Sequence, residues 1–121
     1  MAGAAERAPG APRAPRAARV ERLYFGRSIG DTAVVGDSAW TAFARTVLTV
    51  AFPDGLTVWE ATGQWRAPDG RTVRERSMVV ELVLADDADA DARVQAVVAT
   101  YRRSFAQQAV LRVSTAARVD P

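Results

Sequence analysis

LTVWEATGQWR (residues 56–66), APDG (67–70) and RTVRERSMVVELVL (71–84) decide the fold. Both long runs are rich in Val, Thr and Trp and alternate apolar with polar residues, the period of a strand. Pro68-Asp69-Gly70 joins them. Proline presets φ for a turn and glycine supplies positive φ, so the two runs read as an antiparallel hairpin. Working outward, Pro53-Asp54-Gly55 turns the chain just before the hairpin. It ends a helix whose apolar stripe is Trp40, Phe43, Ala44, Val47 and Ala51 and whose N-cap is expected at Asp37. Residues 28–36 read as a loop, and 19–27 as a first strand. On the far side, Asp86, Asp87, Asp89 and Asp91 crowd the start of a second helix, where carboxylates favour the positive end of the dipole. Its stripe is Val94, Val97, Val98, Tyr101 and Phe105, with Arg102 and Arg103 near its C-terminal end. A last strand covers about 109–114, and the residues after it read as a frayed end. The order is β-α-β-β-α-β. It predicts an α+β, ferredoxin-like domain with a four-stranded antiparallel sheet and two helices on one face.

Composition narrows the chemistry. The 121 residues include no His, Cys, Lys or Asn. Ser-His-Asp and Cys-His triads, thiolate nucleophiles, Schiff bases and the usual zinc ligand set are therefore excluded. Asp, Glu and Tyr remain for proton transfer, and Arg is the only side-chain cation. Residues 1–19 carry four Arg against one Glu, and 20–121 carry twelve Arg against thirteen acids, so the domain proper is near neutral. That balance lacks the electrostatic footprint of a nucleic-acid binder. The Ala/Pro/Arg-rich residues 1–19 are expected to form a disordered leader, with one domain over 20–117. No apolar core of a signal peptide and no membrane span is visible, so a cytoplasmic location with no membrane partner is expected. Neither a metal nor an organic cofactor is expected. The Asp86–Asp91 run reads as helix-start solvation rather than an ion site, and Gly26–Gly30 matches no phosphate-loop pattern.

If Arg66 pairs with Arg71 across the turn, Glu60, Gln64, Glu75, Ser77 and Glu81 share one face of the hairpin. Trp59, Ala61, Gly63, Met78, Val80, Leu82 and Leu84 share the other, facing the helices. Tyr24 or Arg22 from the first strand and Arg112 from the last are expected to join the half-polar face. That face reads as a pocket closed by a second subunit, as a dimer interface with satisfied charges, or as a wet sheet surface. In the pocket reading Glu60 and Glu75 are the catalytic acid/base candidates, because enclosure by Val58 and Val79 would make either a better proton acceptor at neutral pH. Arg66, Arg76 and Arg112 would anchor an oxyanion. A bulge in the hairpin would shift part of this assignment.

Several segments carry a resemblance: Leu-Tyr-Phe-Gly at 23–26, Asp-Ser-Ala-Trp at 37–40 with Phe43, and Phe-Pro-Asp-Gly-Leu-Thr-Val at 52–58. Gly-Gln-Trp-Arg at 63–66, Arg-Glu-Arg-Ser at 74–77, and Tyr101 followed by Phe105 to Val113 complete the set. Together they resemble a bacterial family catalogued as domain of unknown function 3574, over nearly everything from residue 20 onward. The resemblance implies a small α+β domain, often found behind a secretory or lipoprotein signal that this sequence does not show. It implies no activity. It does make Gln64, Arg66, Glu75, Arg76 and Ser77 first choices for a site, since the shared segments fall on the hairpin. The expectation is a homodimeric protein that binds a small organic ligand on its open sheet face. It would be a cofactor-free enzyme of carboxylate-driven isomerisation, dehydration or cyclisation, or alternatively a non-catalytic protein-interaction module.

Overall fold

The computed structural model describes residues 16–30 and 33–120. The first strand is β1 (Arg16–Gly26), followed by two short strands, β2 (Ser28–Ile29) and β3 (Ala33–Val34). A helical rod follows, made of α1 (Asp37–Phe43), a π-helical segment (Ala44–Leu48) and α2 (Thr49–Ala51). The hairpin strands are β4 (Thr57–Arg66) and β5 (Thr72–Ala85), and α3 (Ala88–Ser104) and β6 (Leu111–Val119) complete the domain. The four long strands form one antiparallel sheet in the order β4-β5-β1-β6. Counting long strands alone, that order is 2-3-1-4, the split-βαβ arrangement of the ferredoxin-like fold.

The sheet has two unlike faces. Alternation sends Leu23 and Phe25 of β1 and Met78, Val80 and Leu82 of β5 to one side. There they are buried against Trp40, Phe43 and Leu48 of the helical rod and Val94, Val97 and Tyr101 of α3. Tyr101 anchors an aromatic cluster, with ring centroids 4.7 Å from Phe25, 5.0 Å from Phe43 and 4.9 Å from Phe105. Burial pushes its hydroxyl up to about 12; the Arg27 charge opposes the shift and the Glu75 charge adds to it. The hydroxyl donates to the Gly26 carbonyl at 2.6 Å. Tyr101→Phe is expected to cost about 1–2 kcal/mol in urea denaturation, since the ring packing survives and one buried hydrogen bond is lost.

Several boundaries differ from the sequence expectation. The N-cap of α1 is Gly36, with no side-chain cap, and Asp37 is the first helical residue. Asp37 is drawn instead to Arg27, as described below. The N-cap of α3 is Asp87, which accepts from the Ala90 N–H at 2.8 Å, so the aspartate run does serve the helix start. The π-helical segment is matched by the Thr49 hydroxyl, which donates to the Ala44 carbonyl five residues back. The expected loop at 28–36 contains the β2–β3 pairing. The expected frayed end is strand: β6 pairs with β1 as far as Val119 opposite Arg16. Most of the expected leader, residues 1–15, lies outside the described residues, and residues 16–19 belong to β1.

The hairpin register is corrected by one residue. Arg66 pairs with Thr72, not Arg71. Gly70 N–H donates to the Ala67 carbonyl and Ala67 N–H to the Arg71 carbonyl, and Gly70 has φ +89°. This is a tight turn followed by a left-handed glycine, the geometry that adds one bulged residue. That extra residue flips β4 relative to β5. Met78, Val80, Leu82 and Leu84 do face the helices, but so does Glu60, which pairs with Met78. Trp59, Ala61 and Gly63 lie on the open face with Ser77 and Glu75.

Candidate functional site

The flip separates the two expected catalytic carboxylates. Glu60 lies on the helix-facing side, with its side chain 61% exposed, and its Oε1 accepts from Arg76 Nη2 at 2.6 Å and Arg27 Nη1 at 3.2 Å. An exposed, doubly ion-paired carboxylate is the opposite of the desolvated base expected. Gln64 is also on this side and accepts from Arg74 Nε at 3.1 Å. Arg66 is exposed near the hairpin tip. Arg112 is far off on β6, on the helix-facing side, bonded to Glu21 and Asp91. Tyr24, Ser77 and Glu75 do share the open face, all half-buried.

Glu75 is the residue around which geometry gathers. β1 leaves the sheet after Gly26, and the hairpin projects beyond it. The Glu75 Oε2 accepts the Ser28 backbone N–H at 3.0 Å, which draws the side chain across Gly26. A methyl group at Gly26 would lie 2.8 Å from that oxygen. Any side chain at Gly26 would therefore displace the carboxylate from this position. Ala61, Ser77 and Gly26 are neighbours across three strands and form a floor poor in side chains. Trp59 and Trp65 stand exposed on either side of Ala61 and Gly63, six residues and so about 20 Å apart along β4. Beyond the end of β1 a cavity of about 340 Å³ opens, with Ser28, Asp37, Arg74, Glu75 and Arg76 among its walls.

The wall of that cavity is held by a buried arginine that the sequence reading did not single out. Arg27 is 5% exposed. Its Nε donates to the Val35 carbonyl at 2.9 Å, its Nη2 to Asp37 at 2.6 Å and its Nη1 to Glu60. One guanidinium thus ties the β2–β3 segment, the start of α1 and β4 to the end of β1. Its hydrogen bond and charge hold the Asp37 carboxyl below the usual aspartate range.

A second polar cluster sits at the other end of β1. Glu21 is 2% exposed, and its Oε1 accepts from Arg112 Nε at 2.8 Å and from the Ser114 hydroxyl. Arg19 lies 3.6 Å from its other oxygen. Burial raises the Glu21 pKa, but the hydrogen bonds from Arg112 and Ser114 and the charges of Arg112 and Arg19 outweigh it, so the carboxyl titrates below its ordinary range. A cavity of about 490 Å³ lies beside this cluster, under the start of α3. A carboxylate held ionised by two arginines is a structural counter-ion rather than a base tuned for proton transfer.

A family model described as "Protein of unknown function (DUF3574)" matches residues 20–120. No functionally curated protein sequence matches the chain. Among solved structures, the chain is similar to a phage SAM lyase in complex with S-methyl-5'-thioadenosine. The identity is 15%, the TM-score 0.64, and the match covers 98% of this chain and 97% of that one. The apo form of the phage SAM lyase gives 16% identity, a TM-score of 0.61 and the same coverage. At these identities the likeness is one of fold. Among the described residues, no helix is long and apolar enough to cross a membrane.

Proposed function

The chain belongs to the family described as protein of unknown function (DUF3574), and from its own side chains we propose that it binds a small organic molecule at the hairpin end of the open sheet face, with Glu75 as the acid/base carboxylate. The observation that carries this reading is the placement of Glu75. Its carboxylate is held over Gly26 by a backbone N–H, between the Ala61–Ser77–Gly26 floor and the 340 Å³ cavity. The floor between Trp59 and Trp65 is long enough for a molecule of nucleoside size, with the Trp65 indole at its outer end and the Ser77 hydroxyl for orientation. Arg74 and Arg76 line the cavity from the helix-facing side, where Gln64 and Glu60 hold them, and supply positive charge behind Glu75. Glu60 is a positioning residue here, since it holds Arg76 and Arg27. The phage structures of similar fold include one bound to S-methyl-5'-thioadenosine, which makes that nucleoside the first probe. The reaction class is proton abstraction by a carboxylate, which serves isomerisation, dehydration, cyclisation or elimination alike.

The test is thermal shift and tryptophan fluorescence against S-methyl-5'-thioadenosine, S-adenosylmethionine and a small-metabolite set. Wild type, Glu75→Gln and Gly26→Ala are compared. Gly26→Ala displaces the Glu75 carboxylate without removing it, and because the clash is with a flexible side chain the fold is expected to hold. Saturable binding by wild type, weakened about tenfold or more in both variants, is the expected outcome, the loss of one charge-assisted contact. Binding that survives unchanged in both variants would sink the assignment. The alternative, a module that docks another protein, draws on a different observation. Trp59, Trp65, Val83, Leu111 and Val113 are all exposed, and the pairing puts all five on this one face.

A further inference from the structure

We propose that the open sheet face is the interface of a two-fold dimer of this chain, with the axis running along the strands between β5 and β1. This does not depend on the ligand reading; it rests on the rows of residues that cross the sheet. One row runs Trp59, Val79, Tyr24, Leu111, and the next runs Thr57, Glu81, Arg22, Val113. A third contains Val83, Val20 and Thr115. A two-fold axis along the strands preserves each row and reverses its order, so β4 of one copy lies over β6 of the other and β5 over β1. Trp59 then meets Leu111, Val83 meets Val20, and Glu81 meets Arg22.

The last pairing is what selects a second copy over any other apolar partner. Within one chain Arg22 Nε already lies 2.8 Å from Glu81 Oε1. Stacking two copies builds a ring of alternating charge, Arg22–Glu81–Arg22–Glu81, at the centre of an apolar surface. Each charge gains a second opposite neighbour as water leaves, which limits the desolvation cost. An axis across the strands would instead set Glu81 over Glu81 and Arg22 over Arg22, or move both off their shared row, and lose the ring. The footprint agrees. Four strands at about 4.8 Å, over Ala18–Gly26 at about 3.4 Å per residue, span about 19 by 30 Å. With side-chain relief this approaches the roughly 800 Å² per partner of a standard interface. Where the rows end, Ser77 of one copy faces Gly26 of the other. These small side chains cannot fill the space between sheets, so the dimer leaves a gap beside Glu75.

Sedimentation equilibrium tests the arrangement. Wild type is expected to be dimeric, while Arg22→Glu and Glu81→Arg, each placing four like charges in the ring, are expected to dissociate at least about a hundredfold more readily. Mixing the two variants sets the paired acids of one copy against the paired arginines of the other, and a one-to-one heterodimer should form. The double variant Arg22→Glu/Glu81→Arg restores both the internal pair and the ring, so it should dimerise even where a single variant folds poorly. A wild type that sediments as a monomer or a trimer would overturn the proposal. So would single variants that stay dimeric, or a mixture that stays monomeric. A dimeric wild type that binds none of the ligands would count against the proposed function alone.

Discussion

Arg27→Met is expected to lower stability by about 3 kcal/mol, a fall in Tm of roughly 10–20 °C for a domain of this size. The methionine keeps the stem that packs in the interior and removes only the guanidinium. The Val35 carbonyl and Asp37 then lose the guanidinium donor, and Glu60 keeps only Arg76. Asp37 and Glu60 are exposed, with side chains 87% and 61% accessible, and rehydrate at little cost. The Val35 carbonyl loses the 2.9 Å bond from Nε, and Val35 itself is buried, so its oxygen is left without a donor. The tie between β1, the β2–β3 segment and α1 goes with it, which should show as a lower unfolding cooperativity in the same urea titration. Arg27→Lys is expected to recover little. A single ammonium is a compact point charge and cannot reach Val35, Asp37 and Glu60 together. A loss below about 1 kcal/mol for Arg27→Met would mean that water replaces the guanidinium and that Arg27 is no keystone.

Much of this architecture was legible because local signals agreed. The strand and helix order, the aspartate-rich start of α3 and the helix-facing role of Met78, Val80 and Leu82 all follow from periodicity. The site was less legible, and the cause is one residue. Pro68-Asp69-Gly70 announces a turn, but the number of residues in the loop depends on whether Gly70 takes a left-handed bulge. Because side chains alternate with period two, that single residue moved Glu60 to the helix side and Trp59 to the open side. The expected cluster of carboxylates thus dissolved, while Glu75, Ser77 and Tyr24 stayed together. Arg27 and Glu21 were legible in principle. Odd positions of β1 carry the buried stripe, with Leu23 and Phe25 at its centre, and Glu21 and Arg27 extend the same alternation at either end. A charge on an apolar stripe announces an opposite charge that reaches it from another element. The partners, Arg112 and Asp37, come from distant elements, so their identity needed the folded chain.

Glu21→Gln is expected to cost about 2 kcal/mol at neutral pH, and the deficit should shrink as the pH falls. The amide keeps an acceptor for Arg112 and the Ser114 hydroxyl but removes the negative charge that balances Arg112 and Arg19. In the folded chain the Glu21 carboxyl titrates below its ordinary value of 4.5. The unfolded chain therefore takes up a proton first. The stabilisation from the ionised group is fully present above pH 4.5 and is lost as pH drops through the folded-state value. Asp37, Asp69 and Asp91 are shifted in the same direction. Only Asp91 shares a partner with Glu21, namely Arg112, so the other two contribute alike to wild type and variant and cancel in the difference. Calorimetry at neutral pH and at about pH 3, a unit or so below the usual carboxylate range, reads the effect directly as two Tm gaps. A gap that closes on acidification marks Glu21 as an ionised counter-charge under α3. A gap that stays constant would mean that the cost of Gln is steric, and that the carboxylate contributes nothing through its charge.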